Sequence, residues 1–265
     1  MFVAGKLAYH ELQKTGGTHI CRLLERYAGG TSHGKHNRPG NHAPDTFVVG
    51  SIRNPWDWYV SLWAFGVSGR GAVHARSIRR IDPEYYLRTL PRSMGRQWLS
   101  PGELLTCIYR DASSPAQFRR WLKMLLDHDR RFDIGEGYGF SPLSKHAGLL
   151  TFRYLRLYTP GNSIFTDRRL AQPETLVEFD RELNITHGMI RTESLEEDFV
   201  TVVQAAGLRL SVAERQELLG KNVARTNKSE RRQAHNYYDD ETIELIQQRD
   251  AYIIRKYGYL PHTPG

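Results

Sequence analysis

Cysteine and long apolar runs are both scarce in this chain, and each scarcity excludes a class of protein. Its 265 residues include only two cysteines, Cys21 and Cys107. Two widely separated cysteines do not build a disulfide framework, and they do not match the CxxC or Cys/His spacing of a zinc site. No apolar run approaches the roughly 20 residues needed to span a membrane. The sequence therefore predicts no metal cofactor and no membrane span.

The remaining composition is typical of one globular domain. Hydrophobic residues make up 40% of the chain and charged residues 25%, which suits an α/β protein with a proper core, and we find no internal repeat. The first predicted strand begins almost at once and leaves no room for a signal peptide. We therefore expect a cytoplasmic protein with a single domain over residues 1–265.

Basic residues outnumber acidic ones, which gives a formal net charge of +8. Such an excess favours polyanionic partners, both nucleotides with several phosphates and nucleic acids. The arginines are scattered along the chain, however, and no zinc-finger, homeodomain or RNP signature is present. We therefore expect no nucleic acid partner, and charge alone does not identify the ligand.

A Lys-Thr-Gly-Gly-Thr string, Lys14 to Thr18, lies between a predicted strand at 6–10 and a predicted helix. The helix is indicated by apolar residues at i, i+3, i+4 and i+7, namely Ile20, Leu23, Leu24 and Tyr27. Glycines let the backbone approach an anion closely, and a helix N-terminus offers unpaired N–H groups with partial positive charge. This loop is therefore predicted to hold a phosphate.

The order of residues in this loop differs from the Walker A pattern of nucleoside triphosphatases. Walker A places lysine after the glycines, as GxxxxGK[ST], whereas Lys14 precedes Gly16 and Gly17. We also find no clear Walker B carboxylate. A nucleoside triphosphate with magnesium is therefore not the expected ligand.

A second string, Arg53-Asn54-Pro55, is predicted to end a strand and begin a helix. Residues 48–53 form an apolar run typical of a buried strand, with Asn54 as N-cap and Pro55 as the first helical residue. Ser61 lies about two turns along that helix. The Arg53 guanidinium and the Ser61 hydroxyl are candidates to bind one phosphate together, because arginine makes forked, charge-assisted contacts to phosphate oxygens.

Together these strings resemble sulfotransferases, in particular their carbohydrate and bacterial branch. Residues 10–18 are similar to the 5′-phosphosulfate loop, which in that branch often reads H-x-P-K-T-G-G-T, and Gln13 stands where proline is usual. Arg53 and Ser61 are similar to the 3′-phosphate site. The resemblance implies an α/β fold with a central parallel sheet, flanking helices and a P-loop-like nucleotide site, and it implies 3′-phosphoadenosine 5′-phosphosulfate as co-substrate. It assigns the donor contacts to Gln13, Lys14, Thr15, Gly16, Gly17, Thr18, Arg53 and Ser61.

The resemblance extends to the C-terminal third of the chain. Lys228, Ser229 and Arg231 lie where the family carries a basic loop over the 3′-phosphate, and a solvated basic loop is the alternative. Residues of about 70–172 are expected to form a helical insertion that shapes the acceptor site. Whether Trp56 and Trp58 stack on adenine or fill the core stays open.

Other segments are expected to carry structure rather than chemistry. Ser114-Pro115 predicts a helix start, and residues 189–191 predict a strand. Glu193 and Asp198 belong to a passage similar to R-x-E-x-L-x-x-D-F, where they are interpreted as structural. The inward face of the helix after Pro115 is predicted to be Phe118, Trp121, Leu122 and Leu125.

Sulfuryl transfer needs positive charge at the leaving oxygen and a base for the acceptor proton. Lys14 suits the first role. For the base we choose His36, because Gly34-Lys35-His36 resembles a G-K-H string in bacterial relatives and a neutral imidazole suits the task. His33, His42 and Glu11 are the alternatives.

The predicted function is sulfuryl transfer to a hydroxyl of a glycan, glycolipid or small-molecule acceptor. The branch that the loop resembles is the reason to prefer these acceptors to a protein tyrosine. A P-loop nucleotide kinase and a non-catalytic nucleotide- or polyanion-binding protein are the alternatives. The sequence does not define the acceptor, the position sulfated, the oligomeric state or whether an N-terminal anchor once preceded this chain.

Overall fold

The structure is a computed structural model that describes residues 1–34, 42–78, 107–220 and 233–261. The chain divides into two compact units. The first, here named the sheet unit, comprises Met1–Asn54 and Leu150–Lys228, and the second, the helical unit, comprises Pro55–Leu149 and Ser229–Gly265.

The sheet unit contains a mixed sheet of five strands among its described residues. In chain order the strands are β1 (Phe2–Ala4), β2 (Leu7–Tyr9), β3 (Thr31–Ser32), β4 (Phe47–Ile52) and β5 (Gly188–Arg191). Their order across the sheet is β3-β1-β2-β4-β5. Strands β2, β4 and β5 run parallel, whereas β1 is antiparallel to both β2 and β3.

The prediction of a central parallel sheet is therefore correct for three strands and incomplete for two. β2, β4 and β5 lie close to the positions predicted from the apolar runs. The sequence did not indicate β1, because a strand of three residues shows too little alternation, and β3 has only two residues. Gly5 has a φ of +56°, which lets the chain turn sharply from β1 into β2.

The described residues contain eleven α-helices. In chain order the described ones are α1 (Gly17–Ala28), α2 (Pro55–Val67), α3 (Ala72–Ile78), α4 (Pro115–Leu126), α5 (Leu149–Tyr158), α6 (Ser163–Thr166), α7 (Leu176–Leu183), α8 (Leu195–Ala205), α9 (Val212–Leu219), α10 (Asp240–Arg249) and α11 (Ala251–Tyr257). Short 3₁₀ turns cover His128–Arg130, Tyr138–Phe140, Pro142–Lys145, Arg168–Ala171, Pro173–Thr175, Thr192–Ser194 and Ala234–Tyr237. None of the helices in the described ranges is long and apolar enough to cross a membrane.

The core of the sheet unit packs α1 and α8 with the strands. Ile20, Leu23 and Leu24 of α1 are buried as the period predicted, together with Phe199 and Val203 of α8. This packing fixes α1 and therefore its N-terminus. The loop of Lys14 to Thr18 thus connects two elements that belong to one core.

The helical unit is built around aromatic side chains. Helix α4 begins at Pro115, with Ser114 as N-cap, and its four predicted inward residues are all buried. The Trp63 ring packs edge-on against Phe118 and Tyr237, with centroids 5.5 and 5.7 Å apart. The prediction for this helix is confirmed.

Candidate phosphate-binding site

The loop between β2 and α1 has an unusual backbone at two positions. Gly16 has a φ of +83°, which glycine adopts readily. Lys14 has a φ of +66°, a conformation that costs a residue other than glycine about 1–3 kcal/mol. Such strain is concentrated at functional sites in proteins. The conformation of Lys14 is therefore a second, independent signal at a residue already selected from the sequence.

Helix α1 begins without a side-chain cap. Its N-cap is Gly16, and the N–H groups of His19 and Ile20 donate to the Gly16 carbonyl at 2.9 and 3.1 Å. The N–H groups of Gly17 and Thr18 have no acceptor inside the helix, because they precede its first full turn. The loop thus presents two donors and the positive end of the helix dipole to an anion.

A chain of buried hydroxyls holds the loop to the neighbouring strand. Thr15 Oγ1 donates to the Leu12 carbonyl at 2.6 Å and contacts Ser51 Oγ at 2.6 Å, while Tyr9 OH contacts the same Ser51 oxygen at 2.8 Å. Since each hydroxyl has one proton, Tyr9 donates to Ser51 and Ser51 donates to Thr15. Burial raises the pKa of Tyr9 well above its ordinary value, so this donor stays protonated.

The hydrogen bonds among Tyr9, Ser51 and Thr15 give the Thr15 hydroxyl a structural role that the sequence did not indicate. The sequence predicted that Thr15 contacts the ligand. In the structure Thr15 is fully buried, and its hydroxyl oxygen has two hydrogen-bond partners inside the protein. Thr18 is only half-buried, in the first turn of α1. Of the two threonines, Thr18 is the one whose hydroxyl can still reach a phosphate.

Tyr158, at the end of α5, ties the ends of β2 and β4 together. Its hydroxyl accepts from the Ser51 N–H at 2.8 Å and lies 3.2 and 2.9 Å from the carbonyls of His10 and Ser51. The residue is fully buried. Sequence reasoning missed Tyr158, because a tyrosine on a helical apolar face resembles ordinary core.

Arg53 contacts the loop of Lys14 to Thr18. Its Nη1 donates to the Lys14 carbonyl at 3.4 Å, at the carboxyl ends of the adjacent parallel strands β2 and β4. The two strings that the sequence singled out thus meet at one edge of the sheet. Ser61 lies half-buried on α2, in the helical unit. Trp56 and Trp58 of the same helix are buried, which favours the core interpretation for both.

Two of the candidate bases lie in the described part of the loop region. His42 Nε2 lies 2.8 Å from His10 Nε2, and His10 is fully buried directly after β2. Glu11 is also buried, and a methyl group on Gly17 would come within 2.3 Å of its Oε1, so the carboxylate packs against the start of α1. In H-x-P-K the histidine precedes lysine by three positions, and Glu11 holds that position before Lys14.

The other candidates are more remote or lie outside the described residues. His33 is exposed, and its Nε2 lies 3.1 Å from Thr31 Oγ1. The predicted base His36 and the predicted phosphate ligands Lys228, Ser229 and Arg231 fall outside the described residues. Their roles stay predictions.

Glu193 and Asp198 both make hydrogen bonds within the sheet unit. Glu193 Oε1 accepts the Asn54 N–H at 2.7 Å, directly after Arg53. Arg191 makes a forked pair with Asp198, at 2.9 and 3.1 Å. These contacts link β5 to α8 and fix the backbone that follows Arg53.

The histidine pair predicts a loss of stability in acid. Burial lowers the pKa of His42 below its ordinary value near 6.5. The unfolded chain therefore binds the proton first as pH falls, and stability declines from about pH 6.5 downward. The Nε2 to Nε2 hydrogen bond is lost when both rings are protonated. We expect the thermal midpoint of the wild type to fall more steeply between pH 7.5 and 5.5 than that of His42→Gln.

The matched control for this measurement is His33→Gln. His33 is exposed on the same stretch of chain, so its replacement should leave the acid slope of the thermal midpoint unchanged. An equal slope in the wild type and His42→Gln would contradict the prediction.

Comparison with known proteins gave no match: no family model, no curated protein and no solved structure matches the chain. Within the described ranges, no group of three or more histidine, cysteine, aspartate or glutamate side chains is arranged to hold a metal ion. The functional interpretation therefore depends on the loop, Arg53 and their surroundings.

Proposed function

We propose that the protein is a sulfotransferase, which transfers a sulfuryl group from 3′-phosphoadenosine 5′-phosphosulfate to a hydroxyl of a glycan, glycolipid or small-molecule acceptor. The observation that carries the proposal is the contact of Arg53 Nη1 with the Lys14 carbonyl. A nucleotide with phosphates at two positions needs two phosphate-binding groups side by side, and this contact supports such an arrangement at the ends of β2 and β4.

In the proposed complex the 5′-phosphate lies at the start of α1. The N–H groups of Gly17 and Thr18 and the Thr18 hydroxyl donate to its oxygens. The Arg53 guanidinium binds the 3′-phosphate, with Ser61 as the second donor suggested by the resemblance. Nucleotide binding requires no movement of Thr15, because its hydroxyl already holds the loop through hydrogen bonds with the Leu12 carbonyl and Ser51.

The proposed reaction is an in-line transfer. The acceptor oxygen forms a bond to sulfur, and the bond from sulfur to the bridging oxygen of the 5′-phosphate breaks. The electron pair of that bond stays on the bridging oxygen, where the Lys14 ammonium stabilises the new charge. The acceptor proton passes to a base, for which Glu11 and His42 are the described candidates and His36 is the prediction from the resemblance.

The Thr15 geometry argues against the kinase alternative. In Walker A loops the hydroxyl directly after the lysine ligates magnesium. In this chain the corresponding hydroxyl of Thr15 is buried and donates to the Leu12 carbonyl. A magnesium-bound triphosphate would have to break the hydroxyl chain from Tyr9 through Ser51 to use it.

A thermal shift comparison tests the proposal. A ligand present at 100 times its Kd raises the free energy of unfolding by about 2.7 kcal/mol. We expect adenosine 3′,5′-bisphosphate to raise the thermal midpoint, and ATP with magnesium to raise it little. Arg53→Ala should abolish the shift, because the guanidinium supplies a charge-assisted contact to the 3′-phosphate.

The control variant is Arg26→Ala. It removes a guanidinium of the same unit that lies on the surface, paired with Glu217 at 2.5 Å. This variant should keep the shift. A shift with ATP alone, or no shift with either nucleotide, would overturn the proposed function. A bisphosphate shift without any sulfuryl transfer would favour the non-catalytic binding protein.

A further inference from the structure

A histidine and a glutamate of the sheet unit form an ion pair directly after the loop of Lys14 to Thr18. His19 Nε2 lies 3.4 Å from Glu196 Oε1, and each side chain is only 13% exposed. His19 belongs to the first turn of α1, and Glu196 belongs to the first turn of α8. The pair therefore joins the beginnings of two helices, at the place where the proposed nucleotide site begins.

The start of α8 lies against the start of α1. A methyl group on Gly16, the N-cap of α1, would come within 3.0 Å of Leu195 Cδ1. Leu195 is buried and directly precedes Glu196. His19 is the third residue of α1, and side chains at that position lean back toward the N-cap. The imidazole thus lies within one turn of the Gly17 and Thr18 N–H groups.

The two nitrogens of this ring have different surroundings. Nε2 is the nitrogen near the Glu196 carboxylate, so Nδ1 is left for another partner. A neutral ring whose proton is on Nε2 has only a lone pair at Nδ1, and a phosphate oxygen, itself an acceptor, cannot use it. A protonated ring carries an N–H there, which makes a charge-assisted hydrogen bond to phosphate. A carboxylate and a phosphate on either side both favour the charged ring.

We infer that His19 binds the 5′-phosphate of the nucleotide as a protonated imidazolium, and that Glu196 is the positioning residue that orients the ring and keeps it charged. This role rests on the proposed function and adds a donor to the same site. The proton comes from solvent as the nucleotide binds, and it returns to solvent when the nucleotide leaves.

Charged groups from several elements lie near the first turn of α1. Glu196 comes from α8, Glu11 follows β2 and packs against the start of α1, and Lys14 and Arg53 meet at the loop. Arg22 lies one turn further along α1. A bound phosphate offsets the charges of Lys14 and Arg53, which would otherwise repel a further cation. The ring is therefore expected to gain proton occupancy when the nucleotide binds.

The first experiment counts protons. Calorimetric titration in two buffers of different ionisation enthalpy measures the protons taken up when adenosine 3′,5′-bisphosphate binds. At pH 7.5 we expect the wild type to take up more than His19→Gln, by a substantial fraction of one proton per nucleotide. The variant corrects for the phosphate itself, whose second pKa is about 6. Its Kd should be about tenfold higher, because a charge-assisted hydrogen bond is lost. Equal proton uptake in the two proteins would overturn the inference.

Two mononucleotides identify the phosphate that His19 contacts. Adenosine 5′-monophosphate retains the 5′-phosphate, and adenosine 3′-monophosphate retains only the 3′-phosphate. We expect His19→Gln to weaken binding of the first and to leave binding of the second unchanged. Arg53→Ala should have the reverse effect. Equal weakening of both mononucleotides in His19→Gln would show a merely structural role and would contradict the assignment.

Glu196→Gln tests the positioning residue. The amide keeps the shape of the side chain but lacks the negative charge, so the ring holds its proton less readily. At pH 7.5 the Kd for the bisphosphate should rise by about the same factor as in His19→Gln. Toward pH 5.5 this excess over the wild type should disappear, because solvent then protonates the ring without the carboxylate.

The matched control is Glu197→Gln. Glu197 is the next residue of α8 and is exposed, so its replacement removes the same charge from the surface. The Kd should stay at the wild-type value at both pH values. A Glu196→Gln defect of equal size at pH 7.5 and pH 5.5 would mean that the pair only joins α1 to α8, and the inference would be wrong.

The failure of this inference and that of the proposed function are distinguishable. If the bisphosphate gives no thermal shift with the wild type, the proposed function fails and the role of His19 fails with it. A shift that Arg53→Ala abolishes, with unchanged affinity and proton uptake in His19→Gln, would overturn the role of His19 alone.

Discussion

Lys14→Ala is expected to lower the turnover number of the proposed sulfuryl transfer by about 100- to 1,000-fold. Loss of one group that stabilises charge developing in a transition state typically costs this much. Lys14 lies at the start of the loop, and its backbone adopts a φ of +66° there. The measurement is steady-state release of adenosine 3′,5′-bisphosphate, with the bisphosphate thermal shift recorded in parallel.

The backbone of Lys14 supplies a matched variant. Lys14→Gly also removes the ammonium, but glycine adopts a φ of +66° at no steric cost. Its free energy of unfolding should therefore equal or exceed that of Lys14→Ala, by about 1 kcal/mol at most. If both variants lose turnover equally, the ammonium is the catalytic element. Full turnover in Lys14→Gly would show that the side chain is not needed and would contradict its role.

Tyr158→Phe is expected to lower both the stability of the fold and the affinity of the proposed donor site. The change removes the acceptor of the buried Ser51 N–H and a donor to two carbonyls. Leaving such groups unsatisfied costs about 1–3 kcal/mol. Because His10 directly follows β2 and Ser51 lies in β4, the two strands that hold the loop, the Kd for adenosine 3′,5′-bisphosphate should rise as well. Denaturant unfolding and calorimetric titration measure the two effects.

The control for this prediction is Tyr154→Phe. Tyr154 is equally buried one turn earlier on α5, and its hydroxyl accepts from Asn184 Nδ2 at 2.8 Å. Its loss should lower stability by a similar amount, about 1–3 kcal/mol, without changing nucleotide affinity. Equal affinities in the Tyr158 and Tyr154 variants would show that the hydroxyl chain does not position the loop.

The elements that carry the site were predictable because their signals are local. The period of Ile20, Leu23 and Leu24 indicated α1, and the apolar run before Arg53 indicated β4. The proline at position 115 indicated the start of α4. Each signal depends on neighbours within one or two turns, and the packed structure preserves them. β1 and β3 are too short to carry such a signal, so the antiparallel part of the sheet was missed.

Contacts between distant residues were not predictable in the same way. The Thr15 hydroxyl was predicted to contact the ligand, because no neighbouring residue in the sequence indicates that Ser51 Oγ lies 2.6 Å from Thr15 Oγ1. Tyr158 and the His10 to His42 pair were missed for the same reason. Phe2, Thr31 and Ser32, which help to line a cavity beside Glu11, lie on β1 and β3, the two strands that the sequence did not indicate.

The sequence by itself determined the loop, the strand before Arg53 and the nature of the groups that each presents. Spacing and residue type are sufficient for this, since a glycine turn before a helix and an arginine after a strand are local features. The tertiary structure decided which of those groups are buried and hold the loop and which stay accessible. That choice depends on burial, and burial is fixed only when β2, β4 and α5 pack together around Tyr9, Ser51 and Tyr158.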